Sequence, residues 1–183
     1  MARGAEEWAA VEGWLNTRDA ARSRRRKKHH LPAECYATSG ELYCITLCAR
    51  HHRDPFTDPS LAAATIEALR YYRNRDVCAV WAYCLMPDHF HGVVSLGDTG
   101  SGADEPPTIT LMQLVARFKR YTTRASWQFG LQGRLWQRDF YDHIARRSED
   151  WEAQCRYVLE NPVRKGLVAD WRDYPWGGTM ETW

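Results

Sequence analysis

The sequence predicts an α+β fold of the ferredoxin-like, split βαβ kind: an antiparallel sheet with two helices on one face and a further helix appended at the C-terminus. Three observations predict it. Apolar, β-branched runs alternate with amphipathic stretches in the order strand, helix, strand, strand, helix, strand. The two middle strands are joined by a short turn at Met86-Pro87-Asp88, which makes them antiparallel neighbours. A chain of 183 residues with 44% hydrophobic and 13% aromatic residues can fill one core, and its composition is not that of a disordered chain.

The first strand is expected within "ELYCITLCAR", from Glu41 to Arg50, a β-branched and aromatic run. "TDPSLAAATIEALRYY" then offers Asp58 as N-cap, Pro59 at the first helical position, and an apolar stripe at Leu61, Thr65, Ala68, Leu69 and Tyr72. "DVCAVWAYCLM" is nearly all apolar and reads as a central strand. "HFHGVVSL" pairs with it after the Pro87 turn. A Gly/Pro-rich loop, "GDTGSGADEPP", leads into "TITLMQLVARFKRYTTRAS". There Leu111, Leu114, Val115, Phe118 and Thr122 share one helical face, opposite Gln113, Arg117, Arg120 and Arg124. "RLWQRDFYDHIAR" reads as the fourth strand. "SEDWEAQCRYVLEN" closes the chain as a helix capped by Ser148 and stopped by Pro162.

Residues 1–32 form a basic N-terminal extension and residues 33–183 a single domain. Net charge is only +2, so the molecule is not a general polycation. Its basic groups are clustered instead: "RDAARSRRRKKHH" holds Arg24, Arg25 and Arg26, and Arg117, Lys119, Arg120 and Arg124 form a second group. Such blocks are either solvated faces or contacts to a polyanion, for which nucleic acid is the usual candidate. No apolar run is long enough to cross a bilayer, and the N-terminus lacks the pattern of a secretory signal. The six cysteines include no C-x-x-C pair, so free buried thiols in the cytoplasm are expected, with neither disulfides nor zinc.

Alternation along a strand points His89, His91, Val93 and Ser95 one way and Phe90, Val94 and Leu96 the other, toward the helices. The two imidazoles therefore project from the face the helices leave open, where one divalent cation can be held between them. In the last helix Tyr157 and Asn161 are four apart and share a face. Asn161 can offer a carbonyl oxygen as a third ligand, although Pro162 behind it disfavours helical dihedrals there. His143 and Tyr141 lie on the fourth strand, His143 as a group that orients DNA or the metal shell or serves in packing, Tyr141 as a rival nucleophile. Trp136 and Trp176 either stack on bases or fill the core. His51 and His52 are expected in solvent.

The blocks "MPDHFH", "LWQRDFYDHIAR", "YVLENPVRKGLV" and "DYPW", in this order between residues 36 and 176, resemble the REP-associated tyrosine transposases, a branch of the HUH single-tyrosine transposases. The resemblance implies a HUH endonuclease fold, with His89 and His91 as metal ligands, Tyr157 as nucleophile and Asn161 as third ligand. It implies Mg²⁺ or Mn²⁺ as cofactor and, as substrate, single-stranded DNA folded into short imperfect hairpins of the repetitive extragenic palindrome type. Asp88 stands where the family often has Asn, and the basic, Trp-containing extension is less typical of it. By the same resemblance the protein acts near the nucleoid, as a monomer rather than a homodimer. Arg117, Arg120, Arg124, Arg24, Arg25, Arg26, His143 and Trp136 are the candidate DNA contacts. Two other functions fit some of the residues: a domesticated, catalytically inactive binder of structured nucleic acid, and a metallohydrolase that activates water at H-x-H.

Overall fold

The computed structural model describes residues 41–50, 54–97, 109–145 and 151–183. The expected basic extension with Arg24, Arg25 and Arg26, the histidines at 51 and 52, and the expected cap Ser148 lie outside the described residues.

Strands β1 (Leu42–Cys48), β2 (Cys78–Leu85), β3 (His89–Leu96), β4 (Tyr141–Ala145) and β5 (Gly177–Gly178) make one sheet in the order β4-β1-β3-β2-β5. Every neighbouring pair is antiparallel. Helix α1 (Pro59–Arg73) connects β1 to β2, and α2 (Leu111–Ser126) lies between β3 and β4. The observed α+β architecture thus carries the expected element order, and β3 sits between β1 and β2. Helix α1 starts where its sequence says it should. The Asp58 carboxylate accepts from the Ser60 and Leu61 amides at 2.8 and 3.3 Å, with Pro59 following. Thr110 and Gln113 form a reciprocal capping box at the start of α2, satisfying two amides that the helix leaves over.

The sheet is packed on both faces. Tyr43, Ile45, Leu47, Phe90, Val94 and Leu96 meet Leu61, Leu69, Leu111 and Phe118 of the two-helix layer. On the other face Leu42, Cys44, Ala82, Cys84 and Val93 meet Cys155, Val158 and Leu159 of α3 (Trp151–Leu159). The face expected to stay open is therefore partly covered, by the appended helix itself. Among the described residues Cys44, Cys48, Cys78, Cys84 and Cys155 are buried thiols outside any disulfide. No helix among the described residues is long and apolar enough to cross a membrane.

Three expectations need correction. The fourth strand is shorter than the run 134–146: its ladder with β1 begins at Tyr141, and the segment before it meets the end of β1 only through an isolated bridge between Trp136 and Ala49, where Gln137 N donates to Cys48 O at 2.9 Å. Trp136, offered as a DNA contact, is only 2% exposed. Its ring lies 5.0 Å from Phe56 and 6.0 Å from Phe118, and its Nε1 donates to Thr122 Oγ1 at 2.7 Å. An indole with its N–H satisfied inside an apolar cluster belongs to the interior. The closing helix is also not continuous to Asn161. It ends at Leu159, and a single-turn helix α4 (Asn161–Arg164) restarts beyond Glu160. Pro162 has no N–H to give the Val158 carbonyl four residues back. Asn161 replaces that donor, its Nδ2 reaching Val158 O at 3.1 Å and Tyr157 O at 3.3 Å.

Candidate active site

Strand alternation brings the two histidines together as expected. Both are buried, His89 at 5% and His91 at 0% exposure. Their Nε2 atoms converge to 3.0 Å, with the rings edge to face. Each outer nitrogen is engaged separately. His89 Nδ1 meets the Asp88 carboxylate, and His91 Nδ1 lies 2.9 Å from Thr46 Oγ1 on the neighbouring strand. An imidazole that donates Nδ1–H to a carboxylate carries its lone pair on Nε2, the atom that faces the other ring.

This donor set suits a divalent cation. Two nitrogens 3.0 Å apart match neighbouring ligands at about 2.1 Å from one ion. Burial, helped by the charges of His89, Arg164 and Lys165, pushes the His91 pKa well below its ordinary value. The ring is therefore neutral at physiological pH, which is the ligating form. Among the described residues no cluster of three or more His, Cys, Asp or Glu side chains is assembled for a metal. A third ligand drawn from the described residues would be of another type, such as an amide oxygen.

The register extends the site sideways. Thr46 lies opposite both His91 and Tyr141, and His91 lies opposite Cys84. Tyr141, Thr46, His91 and Cys84 therefore form one row across the histidine face. His143 stands opposite Cys44 on the same face, one step along β4 from Tyr141. Helix α3 lies over β2 and β3 on this face, and Tyr157 packs against the apolar cluster that holds Cys84, Met86 and Val93. Its hydroxyl is buried. The Arg164 guanidinium sits 3.8 Å above the Tyr157 ring, and its NH2 nitrogen donates to the Tyr157 carbonyl at 2.6 Å. Asn161, 2% exposed, turns its amide nitrogen back onto α3, as described above. Structure thus places His89, His91, His143 and Tyr157 on one side of the sheet. Arg117, Arg120 and Arg124 are exposed on α2, on the other side.

Two participants escaped the sequence reading. Asp88 was noted only as a departure from a family pattern, although its position directly before His89 is a usable signal. Thr46 gave none, because its meeting with His91 depends on the β1–β3 register, across 45 residues of chain.

No protein-family model matches the chain. A Haemophilus influenzae protein named as a REP-associated tyrosine transposase is 29% identical over 148 residues, spanning 76% of this chain and 80% of that one. A REP-associated tyrosine transposase of Escherichia coli is 22% identical over 140 residues, spanning 76% and 77%. The fold is also similar to a solved REP-associated tyrosine transposase bound to a REP hairpin, with a TM-score of 0.57 and 23% identity, covering 85% of this chain and 82% of that one. The resemblance read from the four sequence blocks therefore extends over most of the chain, in sequence and in fold.

Proposed function

We propose that the protein is a REP-associated tyrosine transposase: a metal-dependent HUH-type endonuclease and strand transferase that acts on single-stranded DNA hairpins of the repetitive extragenic palindrome type. The strand order β4-β1-β3-β2 then corresponds to the ferredoxin-like split βαβ core of that fold, with β5 and α3 as additions. The observation that carries the reading is the meeting of two features on one sheet face: the converging Nε2 atoms of His89 and His91, and the helix that bears Tyr157.

In this reading Tyr157 Oη attacks the scissile phosphorus. A P–O bond to the phenol forms, the P–O3′ bond breaks, and the phenol proton is balanced by protonation of the 3′-oxygen. The products are a 5′-phosphotyrosine and a free 3′-hydroxyl. Ester replaces ester, so a 3′-hydroxyl can reverse the step and rejoin strands. His89 and His91 would hold Mg²⁺ or Mn²⁺, with Asn161 as candidate third ligand. When bound there, such an ion would supply positive charge against the negative charge that builds on the phosphate in the transition state. The Asp88 carboxylate would hold His89 with its proton on Nδ1, and Thr46 would hold the His91 ring in position. Because the Tyr157 hydroxyl is buried, attack requires α3 to shift on the sheet when DNA binds. A cytoplasmic, nucleoid-associated monomer fits this activity.

The test is a covalent-adduct assay with a hairpin oligonucleotide bearing a single-stranded flank. Wild-type protein with Mn²⁺ or Mg²⁺ gives a slow-migrating conjugate. Tyr157→Phe abolishes it, and His89→Ala abolishes it while DNA binding persists. Cleavage that survives in Tyr157→Phe would instead mean water attack by a metallohydrolase. Binding with no conjugate in the wild type would mean a domesticated, inactive binder.

A further inference from the structure

The outer surface of the two-helix layer is not used by the site described above. α2 carries Arg117, Lys119, Arg120 and Arg124 and no acidic residue. Arg117, Arg120, Tyr121 and Arg124 are spaced i, i+3, i+4 and i+7, so they form one stripe, and all four are exposed. Tyr121 is 57% exposed, and Tyr71 near the end of α1 is 53% exposed. The Arg75 guanidinium lies 4.5 Å over the Tyr71 ring, and Tyr71 meets Tyr72 edge to face at 5.5 Å. α1 and α2 pack against each other in the layer, and the Tyr72 phenol at the end of α1 lies near enough to Arg117 and Arg120 to feel their charges. The carboxylate of α1 on this side, Glu67, is paired with Arg70 at 2.9 Å.

Half-exposed phenols among cations in excess of carboxylates are what a flexible polyanion with aromatic bases requires. Both helices bury their other sides against Phe90, Val94 and Leu96, so this surface faces away from His89 and His91. We propose that it binds a single-stranded nucleic acid segment, with Tyr71 and Tyr121 stacking on bases while Arg117, Arg120 and Arg124 contact phosphates. Stacking on a phenol face needs an unpaired base, which selects the single strand over the duplex. The inference rests on the nucleic-acid reading above and adds a second contact surface, opposite the histidines.

The experiment measures equilibrium binding by fluorescence anisotropy in the Tyr157→Phe protein, which removes covalent trapping. The probes are one DNA hairpin with a single-stranded flank and the same hairpin made blunt. Tyr71→Ala with Tyr121→Ala is expected to weaken the flanked probe at least about tenfold and to leave the blunt probe unchanged. Tyr71→Phe with Tyr121→Phe restores binding, since phenylalanine stacks as well. Replacing Arg117, Arg120 and Arg124 by Gln lowers the slope of log affinity against log salt by about 2. Equal affinity of all variants for the flanked probe, or equal weakening on both probes, overturns the proposal. A DNA-free dimer that the tyrosine variants dissociate in sedimentation would assign the face to a second copy of the chain and overturn it too. Failure of the nickase reading is a separate result: the wild type forms no conjugate, whatever the anisotropy shows.

Discussion

At the scale of single residues, the candidate site depends on groups that have no chemistry of their own in the reaction. In the proposed metal site His89 and His91 would present Nε2 to one cation, and Asp88 and Thr46 engage the Nδ1 sides of the two rings. Outer partners of ligating imidazoles are typically worth about 10–100-fold in metal affinity. Asp88→Ala is therefore expected to weaken Mn²⁺ binding by about that factor, with the fold intact by circular dichroism. Calorimetric titration of Mn²⁺ into the DNA-free protein checks it. An affinity matching wild type would show that the carboxylate does not orient the ring. Asp88→Asn retains an acceptor oxygen and should lie between the two.

At the scale of elements, β3 is built around a tight fit. Gly92 lies between the histidine-bearing residues and the helix-side core, and a Cβ added there would stand 2.9 Å from Phe90 Cε1 and 3.0 Å from Cζ. Phe90 is 1% exposed and packs against Phe118 at 5.7 Å, so its ring has little room to yield. Gly92→Ala should cost about 1–3 kcal/mol by overpacking, read as a lower urea midpoint at unchanged m-value. An unchanged midpoint would mean the ring relocates freely. The closing helix teaches a related lesson. Pro162 was legible as a stop, and the break at Glu160 follows from it. That Asn161 would take over the missing amide's work was not legible, since the donor's new acceptors lie on the preceding turn and depend on the side-chain rotamer.

For the whole molecule, burial of thiols on both faces of the sheet sets a pH dependence. Cys78, Cys84 and Cys155 are pushed up from 9.0 to about 12, in each case chiefly by desolvation. A thiol whose folded pKa is raised contributes stability that is complete below the unfolded value. That stability is lost as pH climbs from about 9 toward 12, because the unfolded chain ionises first. Lys119, lowered to about 8 by burial, acts in the opposite sense between about 8 and 10.5. Three thiols outweigh one amine, each worth up to about 2 kcal/mol between pH 9 and 10.5. Stability should fall over that range and fall less in Cys78→Ala with Cys155→Ala. Chemical denaturation at pH 7.5 and 10.5 decides, and equal midpoints would refute the argument.

Sequence alone determined the order of elements, the Asp58 cap of α1 and which side of β3 carries the imidazoles. These are local properties: a period of two or 3.6, a carboxylate before a proline, a short turn between apolar runs. It also carried the four blocks by which the chain resembles the REP-associated tyrosine transposases. Only the tertiary structure decided that Trp136 is interior, that Thr46 reaches His91, that α3 covers part of the histidine face and buries the Tyr157 hydroxyl, and that the α1 and α2 cations and phenols share one outer surface. Each of these depends on strand register or helix docking between segments far apart in the chain. Side-chain periodicity reports which face a residue occupies but not what stands across from it.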